Sequence, residues 1–168
     1  MEIGRCLWLL GQVRQLMLRM MCSPLYVRSQ VGEGGISLQR PLGLALSHLD
    51  PGEPLSWPAV ARTLSGDDLE EVRSCLRLHR KAVDESEELL RMHADVVQIL
   101  GELEEMGSSR GLDELRPVLE DIRAAAERQG KEGQDCLDLF PGNPFEAKSG
   151  GPEHQPFEER RPFPNAWP

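Results

Sequence analysis

The sequence predicts an all-α protein in which a long amphipathic helix forms an antiparallel helical hairpin or small bundle, followed by a disordered Pro- and Phe-containing C-terminal tail. Three observations carry this prediction. Between Ser65 and Met106 apolar residues keep a helical period without a break. The four phenylalanines (Phe140, Phe145, Phe157, Phe163) all lie in the last part of the chain, so the core is left to Leu, Val, Met and Ala, which suits helix packing. From Lys131 onward, seven prolines and four glycines replace the periodicity.

The long helix is signed at its start by Ser65-Gly66-Asp67-Asp68, an [ST]-x-x-[DE] capping box with acid where the helix dipole favours it. With Leu69 at position a of a heptad, Leu69, Leu76, Val83, Leu90 and Val97 share that position, while Cys75, Ala82, Leu89, Val96 and Leu103 occupy g. Positions b, e and f are charged or polar almost throughout. The apolar arc spans roughly 160° at 3.6 residues per turn, wider than a two-stranded coiled-coil seam. Such a face must pack against other helices, and Leu69, Leu76, Val83, Leu89, Leu90, Val96, Val97 and Leu103 are its expected interface.

Residues 1–32 carry four arginines (Arg5, Arg14, Arg19, Arg28) against Glu2 alone, whereas the whole chain has a net charge of −9. An apolar stripe of Ile3, Leu7, Leu10, Val13, Met17 and Met20 makes this an amphipathic helix. Its longest apolar run is far short of the ~20 residues that span a bilayer, so no transmembrane segment is expected. Four readings stay open: a bundle helix covering the long one, a mitochondrial presequence, peripheral membrane contact through residues 1–22, or a poorly ordered extension. The acidic remainder excludes a nucleic-acid partner, because phosphates require a positive surface.

A glycine-rich linker (33–40) leads to a short helix over Pro41–Leu49, a turn at Asp50-Pro51-Gly52-Glu53-Pro54, and a second short helix from Trp57 to Leu64 capped by Ser56. Trp57-Pro58-Ala59-Val60 formally matches the aromatic-x-x-aliphatic core of autophagy-receptor motifs, but its place at a helix start predicts a buried tryptophan. Beyond Ser108, Ser109 and Gly111, the spacing of Leu112, Leu115, Leu119, Ile122 and Ala126 predicts a helix over 112–129, with Gly130 as its stop. Pro117 either kinks this helix or lies in the first turns of one that starts later. The short connection implies an antiparallel hairpin.

Candidate chemistry is sparse. His79, Ser86 and His93 share position d within the apolar arc, and the two histidines are too far apart along the helix to share a metal. Cys6, Cys22, Cys75 and Cys136 are widely spaced with no C-x-x-C pair, so they read as reduced thiols without a zinc site or disulfide framework. No nucleophile elbow, phosphate loop or H-E-x-x-H is present. The expectation is a protein without catalytic, cofactor-binding or metal-binding residues.

The tail is where a short ligand is expected. Asn143-Pro144-Phe145 resembles the NPF motif recognised by EH domains of endocytic trafficking proteins, and Glu146 after it resembles the preference of EHD membrane-remodelling ATPases. Asn opens a tight turn with its side chain, Pro fixes the next φ, and Phe is the apolar anchor. Asp138-Leu139-Phe140 resembles the DxF motif of ligands for adaptor appendage domains. Cys136 to Phe140 is similar to a clathrin box but lacks its first leucine and terminal acid.

The chain thus divides into a basic segment (1–32), a linker (33–40), a helical domain (41–130) and a tail (131–168). The expected role is a cytoplasmic, endosomal or vesicle-associated interaction subunit, binding helical partners through 65–129 and an EH or appendage domain through 138–146. The alternatives are a centrosomal, kinetochore or lysosome-positioning coiled-coil subunit with an inert tail, and a mitochondrial helical protein targeted by residues 1–32.

Overall fold

The computed structural model describes residues 2–32 and 37–146; linker residues 33–36 and the tail beyond 146, with Phe157 and Phe163, lie outside the described residues. Six helices follow one another: α1 (Glu2–Met21), α2 (Pro24–Gln30), α3 (Gln39–His48), α4 (Trp57–Thr63), α5 (Gly66–Glu105) and α6 (Leu115–Asp138). No strand occurs among the described residues. The axis of the fold is α5, and the other helices pack against it or against its antiparallel partner α6.

Local chemistry explains the helix ends, with one exception. Ser56 caps α4 as its position predicts, its Oγ accepting the amide of Ala59 at 3.3 Å. At the start of α5 the expected capping box does not form, because Gly66 takes a φ of +59° and Ser65 makes no side-chain cap bond. Asp67 and Asp68 nonetheless sit in the first turn, where their charge suits the dipole. The other end of α5 closes in a Schellman motif. Gly107, at φ +71°, donates to Glu104 O at 2.9 Å, and Ser108 donates to Leu103 O at 2.8 Å.

The expected end of the last helix is corrected. Gly130 does not stop α6, which begins at Leu115 with Pro117 in its first turn and runs on to Asp138. The glycines serve packing instead. A Cβ on Gly130 would lie 2.3 Å from Ser86 Oγ, and one on Gly133 would lie 2.8 Å from the backbone oxygen of His79. Close approach to α5 therefore outweighs the roughly 1 kcal/mol that a mid-helix glycine costs.

Two clusters of buried side chains share α5. One joins its C-terminal half (Leu89, Met92, Val96, Ile99, Leu103) to α1, α2 and the first half of α6. The other joins its N-terminal half (Val72, Leu76, Val83) to Ala45, Val60 and Leu64 and to Cys136, Leu137 and Phe140. The buried face of α5 consequently turns by roughly 120° along its length, counting 3.6 residues per turn. This explains the fate of the predicted interface. Leu76, Val83, Leu89, Val96 and Leu103 are buried and Leu69 and Leu90 partly so, but Val97 is 49% exposed. Val97 continues the face that α3 and α4 cover lower down, and at its level α1 covers a different side.

The basic N-terminal segment lies antiparallel to α5. Arg5 pairs with Glu102, Arg19 with Glu88 at 3.4 Å, and Arg28 of α2 with Glu85 at 3.4 Å. The uneven charge read from the sequence is thus partly matched within the chain, although partly exposed pairs of this kind contribute little stability. The core face of α1 is Leu9, Val13, Leu16, Met17 and Met20. Ile3 and Leu7, which the predicted stripe includes, point outward instead.

Candidate functional site at the end of α6

The segment read as the start of a disordered tail is ordered as far as residue 146. Residues 131–138 complete α6, and 139–146 form successive turns against the N-terminal half of α5 and the start of α4. The physical reason is Phe140, which is fully buried among Ala45, Val60, Leu64, Leu76 and Leu137. An aromatic ring that contributes this much apolar area offsets the entropy of ordering a few residues.

Asn143 organises the turn. Its side-chain amide donates to Leu137 O at 3.0 Å and to Phe140 O at 2.8 Å, capping carbonyls at the end of α6. Its Oδ1 accepts the amide of Phe145 at 2.9 Å, closing the Asx turn that the sequence chemistry predicts. Gly142, at φ +81°, donates to Glu146 Oε1 at 2.5 Å, and Pro141 O accepts the amide of Trp57 at 2.9 Å. Phe145 is half-buried beneath Arg77, whose guanidinium lies 5.8 Å from the ring centre. Trp57, expected to be buried, is also half-exposed and stacks with Arg73 at 5.7 Å.

The predicted ligand residues therefore fall into two sets. Asp138, Leu139, Pro144 and Glu146 are exposed, whereas Phe140 and Asn143 are buried and Phe145 is half-buried. The turn of the NPF-type sequence is present, but its anchors are engaged by the chain itself.

Directly beneath this turn lies a grouping that residue spacing did not reveal. Cys75 and His79, one helical turn apart on α5, meet Cys136 from the last turn of α6, and their donor atoms all lie within 4.8 Å of one another. All three are buried, and His79 Nε2 has no hydrogen-bond partner. Cys75 Sγ also lies 3.8 Å from Ser37 O. The Cys136 thiol donating to Cys75, reinforced by His79, draws Cys75 down to about 5 although burial pushes the other way. The same hydrogen bond and burial push Cys136 up. Among the described residues this is the group in which three metal-ligating side chains converge. The only sequence signal was Cys75-x-x-x-His79, one turn apart on one helix face; the third member needed the fold.

The other d positions have separate fates. Ser86 is buried, donating from Oγ to Ala126 O at 2.6 Å. His93 is half-buried and held below its ordinary value, first by burial and then by the Arg123 guanidinium. No helix among the described residues is long and apolar enough to cross a membrane. Set against known proteins, the chain matches no family model, no curated protein and no solved structure.

Proposed function

We propose that the protein is a non-enzymatic helical interaction subunit that docks a partner helix on the outer face of α1 and α2. The observation that carries this reading is that α1 is apolar on two sides. Roughly 120° around the helix from its core face, Ile3 (78% exposed), Leu7 (57%), Leu18 (54%) and Met21 (46%) share one side. Gly11 and exposed Arg14 lie between the two pairs, and Val27 and Val31 are also exposed. Large apolar side chains aligned on one helix face support a binding surface more strongly than scattered ones do. The arc of α5, expected to receive partners through 65–129, is largely consumed by α1, α3, α6 and the turn at 139–146.

The test is Ile3→Asp, Leu7→Asp and Leu18→Asp together in the full chain. Because these side chains are exposed, the expected result is unchanged helicity with loss of the partners seen by proximity labelling. An unchanged partner set would overturn the reading, and loss of binding to anionic vesicles alone would replace the partner helix with a membrane surface.

A second reading is favoured by the Asx turn at Asn143. Residues 138–146 act as a latent ligand for an EH domain of the endosomal or vesicle machinery in the cytoplasm, available when the turn undocks. A peptide of residues 135–150 is expected to bind with a Kd on the order of 10–100 μM, since so small an anchor must also be ordered. The full chain should bind more weakly, because Phe140 and Asn143 must first leave the bundle. Equal titration by the peptide and its Asn143→Ala, Phe145→Ala control would remove this reading.

A further inference from the structure

We infer that Cys75, His79 and Cys136 form a zinc site that clamps the last turn of α6 to α5. Two sulfurs and an imidazole nitrogen are the donor set of a borderline-soft divalent ion, and they exclude calcium and magnesium, which take oxygen ligands. The geometry fits with small adjustment. Around a tetrahedral zinc, such ligand atoms lie about 3.3–3.8 Å apart, given Zn–S and Zn–N bonds near 2.3 and 2.0 Å. Here they are already within 4.8 Å of one another, so the difference is small.

Two further observations point to a ligand rather than to packing alone. His79 is 4% exposed, yet its Nε2 has no hydrogen-bond partner, which leaves a buried polar atom unsatisfied unless something binds it. Gly133 brings α6 so close at this level that a Cβ would meet the backbone oxygen of His79 at 2.8 Å and Val83 Cγ2 at 3.0 Å. That close approach is what puts Cys136, one turn further on, over the Cys75–His79 pair. Three protein ligands leave one coordination position, filled by an oxygen: water, or the Ser37 carbonyl beside Cys75. Each thiol that is protonated beforehand gives up its proton on binding, so uptake releases protons and weakens in acid.

The test uses the full chain purified with a phosphine reductant. Titration with Co²⁺ is expected to give tetrahedral visible bands and a sulfur-to-cobalt charge-transfer band that saturate at one ion per chain and vanish on adding Zn²⁺. Zinc should raise the melting temperature, and a chelator should reverse the rise. Cys136→Ser, with one thiolate left, should lower the charge-transfer intensity by about half or more, and His79→Gln should remove stoichiometric binding. Cys22→Ser, at an exposed thiol outside the cluster, should change nothing. Circular dichroism establishes that each variant is folded, and the wild-type cobalt spectrum stands even where a variant is not. A reduced, folded wild-type chain without the cobalt spectrum would overturn the site. So would binding that survives Cys136→Ser unchanged.

Discussion

The two ends of α5 are covered in different ways. At its C-terminal half, Leu9, Met20, Leu25, Ile99, Leu103 and Ile122 are almost wholly buried apolar side chains, supplied by α1, α5, α6 and the short α2, with Asp95 as the one charged residue among the described ones buried at that end. At its N-terminal half, α6 is still present but two short helices and a chain of turns take the place of α1, and the interior includes Cys75, His79, Cys136 and Asn143. Aliphatic packing needs only the right volume and pattern, so the first end tolerates many sequences. Directed polar groups need particular partners, so the second end depends on a few residues.

Removing one fully buried side chain at each end gives the sharpest contrast. Phe140→Ala and Leu9→Ala should each cost several kcal/mol, about 3–5 for the phenylalanine and 2–5 for the leucine. Hydrogen exchange should separate them: loss of Phe140 should first unprotect α3, α4 and residues 137–146, whereas loss of Leu9 should first unprotect α1 and α2. Identical patterns would mean that the two ends are one cooperative unit. A smaller effect is expected from Gly133→Ala, whose methyl must push α6 from His79, at about 1–3 kcal/mol by denaturant unfolding. Asn143→Ala should cost about 1–2 kcal/mol by removing the side-chain donor that the Leu137 and Phe140 carbonyls accept beside their backbone amides, and the Oδ1 acceptor of the Phe145 amide, and should raise proteolysis within 139–146.

Gly101→Ala tests the opposite end with the opposite sign. Nothing lies within 4 Å of a Cβ there, and the residue is helical and exposed, just before the last turn of α5, so a gain of about 0.5–1 kcal/mol is expected. The smallest effect concerns His93, whose folded value is held below the ordinary 6.5 by burial and by Arg123, with Glu120 and Glu127 opposing. The neutral form is therefore favoured in the fold. Its contribution is complete above pH 6.5 and diminishes as acid takes the solution down through the lowered folded value. His93→Gln should flatten that part of the stability–pH curve, and an unaltered curve would assign the acid sensitivity elsewhere.

Much of this was legible because it is local. The period of Leu69–Leu103, the Ser56 cap and the turn opened by Asn143 all follow from interactions within a few residues. The rotation of the buried face at Val97 was hidden because it depends on which helix covers each level of α5. Gly130 was read as a stop for a related reason: a glycine after a periodic run ends a helix unless a neighbouring helix needs the space. The Cys75–His79 pair was in view on one helix face, but Cys136 joins it only through the antiparallel return of α6. Phe140 was misplaced because a phenylalanine among prolines and glycines carries no periodicity to show that it is core.

The pairing of Arg5 with Glu102 spans 97 positions of sequence. At about 5–20 residues per second, α1 leaves the ribosome roughly 5–20 s before the part of α5 that receives it. Through that interval both apolar faces of α1 are uncovered: Leu9, Val13 and Met20 await α5, and Ile3, Leu7 and Leu18 await nothing in the described fold. A nascent helix in this state is a natural client for a ribosome-associated chaperone. Translation speed upstream of Leu103 then sets how long the chain is vulnerable to aggregation.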